Sequence, residues 1–213
     1  MPSHPPESPL LVSYLTLRKA VGGIGLALPF VLIIGKILLC CPGIQPSISD
    51  YYYTVMCGVF VGSLWAIGVF LMAYRGYQRA DAVAGLVAGL GAIGVSLFPT
   101  TPDGAVTPLQ HELGIVHYAF AGVFFLTLAF FCLYLFRKTS GNMTARKKIR
   151  NKCYVACGSL ILLCIVLLLI NRLFLRDVPA VASLNPVFWL ETVSILSFGT
   201  SWLVKGEAIL KDK

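Results

Sequence analysis

Six long apolar runs mark out the chain, near residues 20–41, 51–74, 82–98, 109–136, 153–175 and 187–204. Each is long enough, or nearly so, to cross a hydrocarbon core about 30 Å thick, which takes roughly 20 helical residues. A backbone in lipid has to satisfy its own hydrogen bonds, so runs of this kind fold as helices. Only 12% of the 213 residues are charged, where a soluble domain carries roughly 25%. Mean hydropathy is +0.82, and lipid has to serve as solvent for much of such a chain. The expected fold is an all-α, polytopic bundle of six transmembrane helices forming one domain. An N-terminal cytoplasmic or interfacial segment (1–19) leads into the membrane domain (20–205), and a short cytoplasmic tail (206–213) follows. The run at 82–98, framed by Asp81 and Pro99, has 17 residues and sits at the lower length limit.

Charge placement sets an expected orientation. Fourteen of the seventeen Lys and Arg fall in the N-terminal segment, the 75–81 and 137–152 loops and the C-terminal tail; the exceptions are Lys36, Arg172 and Arg176. By the positive-inside rule these regions face the cytoplasm, with both termini. The same placement accounts for the net charge of +8 without a nucleic-acid partner. The run RKKIRNK reads as a loop meeting anionic lipid head groups. The expected setting is a cell or organelle membrane, with membrane lipids as partners and homo-oligomers left open.

Local signals refine the picture. Thr107-Pro108-Leu109-Gln110 reads as a capping box with Pro in the first turn, and Ser47-Ile48-Ser49-Asp50 as a second cap. Asn185-Pro186 fits a third helix start. Ser8-Pro9 could open a short amphipathic helix carrying Leu10, Leu11, Tyr14 and Leu15. Ala84, Ala88, Ala92 and Ser96, with Gly85 and Gly89 beside them, make the third run a close-packing helix. Pro29 is expected to kink the first. The start of the chain lacks the basic opening and small-residue cleavage site of a signal peptide, so the first span is expected to direct insertion. Cys57, Cys132, Cys157 and Cys164 lie in apolar runs and read as packing residues. The sequon at Asn142 falls in a loop expected to be cytoplasmic.

Ionisable groups inside a span are costly and become functional candidates. Lys36, His117 and Glu191 come from three different runs, yet each lies roughly 6–10 Å inside the same face at 1.5 Å per residue. Asp50 and His111 lie one layer further out, with Asp103, Glu112 and Arg172 near them. The candidate catalytic set is therefore His117, Glu191, Asp50 and Lys36, with His111, Ser49 and Arg172 as candidate substrate contacts. Each has a plain structural reading too: Lys36 reaching head groups, Asp50 as a cap, His117 bonded to a neighbouring hydroxyl, Glu191 in a structural ion pair. His111 and His117 are six residues apart, about 240° around a helix, so they face different ways. A metal would need His117, Glu191 and Asp50 together; no cofactor is expected and metal is weakly signalled.

Around these residues the chain resembles the six-span Frag/DRAM/Sfk type of membrane protein and its uncharacterised bacterial relatives. The resemblance rests on SISDYYYTVMCGVFVG, VHYAFAGVFF and FWLETVSILSFGTSWLVKG. It covers most of the chain in topology and these three stretches in motif; the third tyrosine of the first stretch and the TTPD loop depart from it. It implies that Ser49, Asp50 and His117 are the positions to watch, with roles in lipid remodelling and membrane trafficking. A fainter similarity, to seven-span ceramidase and adiponectin-receptor hydrolases, lacks a third embedded His and one span here, so their zinc is not carried over. Three functions are therefore weighed: an enzyme or accessory factor acting on lipid at the outer leaflet, a small transporter with a Lys/His/Glu relay, and a structural membrane protein.

Overall fold

A computed structural model describes residues 14–74, 76, 78–102, 104–139 and 141–211. The described residues are helical, with no strand among them. The elements are α1 (Tyr14–Leu39), a 3-10 turn (Ser49–Tyr53), α2 (Cys57–Met72), α3 (Arg79–Leu97), α4 (Pro108–Phe130), α5 (Ala145–Ile170), the one-turn α6 (Pro179–Ala182) and α7 (Pro186–Lys205). α4 and α5 each run on into a π-helical turn, Phe131–Leu135 and Asn171–Leu175. Residues 8–13 of the expected N-terminal amphipathic helix, Arg75 and Asp103 lie outside the described residues, while Tyr14 and Leu15 belong to α1.

Five of these helices are long and apolar enough to cross a membrane; α2 is apolar but has 16 residues, about 24 Å at 1.5 Å per residue. The shortest of the six apolar helices is thus α2 and not the third run, which forms a 19-residue helix starting at Arg79. The reason lies at its start. Tyr51–Tyr53 belong to the 3-10 turn, and Thr54 is extended (φ −120°, ψ 175°), so the aromatic stretch is apolar without being part of α2. α1 begins at Tyr14, earlier than residue 20, and passes Pro29 without a break in the helix. α5 begins at Ala145, where Thr144 accepts the Lys147 amide at 3.0 Å. The basic residues 146–152 are therefore its first turns and not a loop.

The caps explain the other boundaries. Thr107 and Gln110 close the expected box on α4, with Pro108 in its first turn. Gln78 and Asp81 form a second box on α3 that hydropathy does not show. Asn185 stands at the start of α7 in the left-handed region (φ 49°) and makes no side-chain cap. The first free amides of α7 are met instead from outside: the Phe188 N–H donates to the Pro46 carbonyl at 2.9 Å.

Packing closes the helices into a ring, α1–α2–α3–α4–α5–α7 and back to α1. Small residues set the spacing. A Cβ on Gly89 would meet the Gly68 carbonyl at 2.6 Å, and one on Gly199 the Gly22 carbonyl at 2.9 Å. α2–α3 and α1–α7 are therefore backbone-to-backbone contacts. Buried Ala84, Ala88 and Ala92 lie on the same helix as Gly89, as the small-residue stripe implies. The ring encloses an aromatic core around Trp202, whose ring centre lies 5.2 Å from Tyr74, 5.3 Å from Phe136 and 5.6 Å from Phe131. Outside, Phe30, Leu38, Leu90, Leu163, Leu173 and Phe174 are exposed among many other large apolar side chains. A water-facing surface does not carry such a belt. With the helix lengths, it fits an integral, multi-pass membrane protein.

The bundle has two distinct ends. One gathers the starts of α1, α3 and α5 with the end of α7; Arg18 Nη1 donates to the Lys205 carbonyl there at 3.5 Å. The other carries the 3-10 turn, the end of α3 and the starts of α4 and α7.

Candidate functional site

The opposite end from the termini holds the site, and its foundation is a short turn. Ser47 Oγ accepts the Asp50 amide at 3.0 Å and donates to Asp50 Oδ2 at 2.8 Å. This Ser-x-x-Asp pair thus tightens the 3-10 turn and not the start of α2. Three clamps then hold the turn. Glu191 Oε2, from α7, accepts the Ile48 amide at 2.7 Å. Pro46 receives the Phe188 amide as described above. Tyr53 OH donates to the Thr100 carbonyl at 2.5 Å. Desolvation raises the Tyr53 phenol pKa, and Tyr52 and Asp50 push it the same way, so the hydroxyl stays protonated and keeps donating.

His117 is the centre of the arrangement. It is 2% exposed and bridges three elements. Its Nδ1 lies 2.7 Å from the Phe98 carbonyl and 3.1 Å from that of Val95. Both carbonyls belong to the last turn of α3, where helix carbonyls lack intrahelical partners. A carbonyl only accepts, so Nδ1 carries the proton. In the neutral ring Nε2 is then the acceptor. Ser49 Oγ, 3.1 Å from Nε2, must therefore donate its hydroxyl proton to the imidazole. The tautomer follows from the carbonyls, and the direction of the Ser49–His117 bond follows from the tautomer.

Around this pair lies a cleft of about 190 Å³, lined by Ser49, Asp50, Thr100, Thr101, His117, Tyr118 and Glu191 among others. Ser49 and Glu191 also line a second, inward crevice. Its wall is mainly apolar, with Leu28, Phe60, Leu64, Phe124, Ile195 and Phe198 in it, and its free space is about 30 Å³, room for a water-sized body. The pair thus stands where a polar cleft meets an apolar one.

Of the residues singled out from sequence, Ser49, Asp50, His117 and Glu191 come together here. Lys36 does not join them. Its Nζ donates to the carbonyls of Gly43 at 3.0 Å and Pro42 at 3.4 Å, so it ties down the chain just after its own helix. Gly43 allows the return, with φ of 95°, a region favourable only to glycine. His111 is exposed in the first turn of α4 and lies off the cleft, as does exposed Glu112. Arg172 is exposed and stacks its guanidinium 5.7 Å from the Tyr118 ring centre, at the rim. Glu191 is held by a backbone amide, with no ion pair to Lys36 or His117 among the described contacts. Both His117 nitrogens are engaged, and no group of three His, Cys, Asp or Glu converges among the described residues.

Sequence reasoning missed Thr100, Thr101, Tyr118 and Tyr53. Tyr118 follows His117 directly, and its OH lies 3.4 Å from Thr100 Oγ1. Thr101 packs on Gly114, where a Cβ would overlap its hydroxyl. The paired threonines after Pro99 were the available signal.

No protein-family model, curated protein or solved structure matches the chain.

Proposed function

We propose that this chain is a six-span membrane enzyme that cleaves or transfers an ester-linked group of a membrane lipid, with Ser49 as nucleophile and His117 as base. The observation that carries the reading is the Ser49 Oγ–His117 Nε2 bond at 3.1 Å, with Nδ1 held by two carbonyls. A nucleophile within hydrogen-bond reach of a base that a third group orients is the signature of activated-serine chemistry. Here backbone carbonyls take the orienting role that a carboxylate takes elsewhere. On attack, His117 accepts the Ser49 proton, and the carbonyl end of α3 favours the imidazolium that forms. His117 then returns the proton to the leaving alcohol. Water, deprotonated by the same imidazole, releases the acyl group from Ser49. Glu191 acts as a positioning residue by fixing the Ile48 amide beside Ser49.

The substrate class follows from the two cavities. A polar cleft beside an apolar crevice suits a molecule with a head and a chain, and the crevice has to widen to admit one. The apolar wall of the crevice disfavours the alternative of a proton or ion relay, which needs polar groups along its path. The excess of Lys and Arg at the other end supports six spans with that end cytoplasmic, so the cleft faces the outer leaflet. The similarity to Frag/DRAM/Sfk membrane proteins, which also marked Ser49, Asp50 and His117, is part of this proposal.

The test is covalent labelling of the purified full chain in liposomes with an alkyl fluorophosphonate, mapped by mass spectrometry. We expect the label on Ser49 and its loss in both S49A and H117A. A folded protein that leaves Ser49 unlabelled overturns the reading and leaves the cluster a structural joint between helices.

A further inference from the structure

The end of the bundle near the termini holds a larger cleft, about 500 Å³, well within the range of small-molecule sites, roughly 300–1,000 Å³. Arg18, Lys138, Lys147, Arg150 and Lys205 line it, against the carboxylates of Asp81 and Glu207. These cations come from α1, the α4–α5 connection, α5 and α7, so only the folded bundle brings them together. Like charges held this close repel, and two of them are buried: Arg150 is 6% exposed and Lys205 9%.

Near neighbours position several of these groups in the cleft wall. Lys138 donates to Gln78 Oε1 at 2.6 Å, Lys147 to the Phe136 carbonyl at 2.8 Å and Arg150 to the Val204 carbonyl at 3.2 Å. Arg18 lies over the Tyr74 ring and Lys205 over that of Phe136. Two acids stand among the five cations of the described lining. Asp81 accepts the Gln78 amide in its own helix cap, and Glu207 stands 3.9 Å from Arg150. The buried Arg18 Nε–H finds no hydrogen-bond partner among the described residues.

We infer that this cleft binds a phosphorylated anion of head-group size. Phosphate esters concentrate charge on oxygens that accept from several Arg and Lys donors at once. A cleft at the helix ends is open to two sources of that chemistry, a phosphorylated lipid head group in the adjoining leaflet and a soluble phosphate ester. The inference is independent of the chemistry assigned to Ser49.

The experiment uses the full chain in phosphatidylcholine nanodiscs. One arm adds inositol trisphosphate to neutral discs; the other places phosphatidylinositol bisphosphate in the discs. Binding is read by thermal shift and by titration at two salt concentrations. We expect saturable, salt-sensitive binding in at least one arm, and the arm that binds more tightly identifies the source. The double variant K138Q/K147Q, altered at two half-buried positions, should bind about tenfold more weakly or worse, the loss of one or two charge-assisted contacts. E207Q removes a competing carboxylate and should bind more tightly. Absence of saturable binding in both arms by a cooperatively melting protein overturns the inference, as does unchanged affinity in K138Q/K147Q.

Discussion

The two clefts are opposites in how their polar groups are held. At the Ser49 end each group meets a near partner of matching chemistry: an amide for Glu191, two carbonyls and a hydroxyl for His117, a hydroxyl for Asp50. That end is small and geometrically determined. At the other end five cations surround a wider opening with two carboxylates among its described lining. That end is rich in charge, with more cations than carboxylates among its described lining. A site satisfied from within is suited to positioning atoms for a reaction. A site lined mainly by one sign of charge is suited to capturing a ligand that brings the opposite sign.

The sharpest way to break this contrast is to remove one hub from each end. His117→Leu would strip two α3 carbonyls and the Ser49 hydroxyl of a buried partner. Unsatisfied buried groups cost about 1–3 kcal/mol each, so a stability loss of about 2–4 kcal/mol is expected by chemical or thermal unfolding. Lys147→Gln should change stability by less than about 1 kcal/mol, the scale of a partly exposed charge. Equal losses would erase the distinction. A smaller effect separates shape from charge at Glu191. Glu191→Leu should cost about 1–3 kcal/mol by orphaning the Ile48 amide. Glu191→Gln keeps an acceptor and should lose less than about 1 kcal/mol. If the two variants melt alike, the bond to Ile48 is not what Glu191 contributes. The smallest effect is electrostatic. Raising salt from low to physiological strength should stabilise the wild type slightly, by under about 1 kcal/mol, as screening eases repulsion among the five cations. The gain should shrink in K138Q/K147Q.

Much of the fold was legible because its driving force is local. Apolar length and caps such as Thr107–Gln110 place helices without knowledge of neighbours. The boundary of α2 was hidden because Tyr51–Tyr53 are apolar whether they sit in a helix or in a turn, and only the Ser47–Asp50 bond decides. The site was legible in depth but not in direction. Counting residues groups Lys36, His117 and Glu191 by expected depth, yet depth does not say which way a side chain faces. Lys36 turned to the carbonyls of the chain after its own helix, which the sequence offers only as Pro42-Gly43. The hydroxyl partner of His117 was weighed in advance, but its identity as Ser49 needed the 3-10 turn. The basic cleft was read as one loop because its residues cluster there; Arg18 and Lys205 join only across the ring.

The ring order gives α7 an importance beyond its packing. Neighbours from α1 to α5 follow each other along the chain, so each pair forms as a hairpin of local contacts. α7 closes the circle against α1 through Gly22 and Gly199, and it reaches both clefts, with Glu191 at one end and Lys205 at the other. Docking of that helix therefore completes the walls of both clefts at once. A bundle stalled before it docks would leave both the cleft beside Ser49 and the basic cleft open on one side.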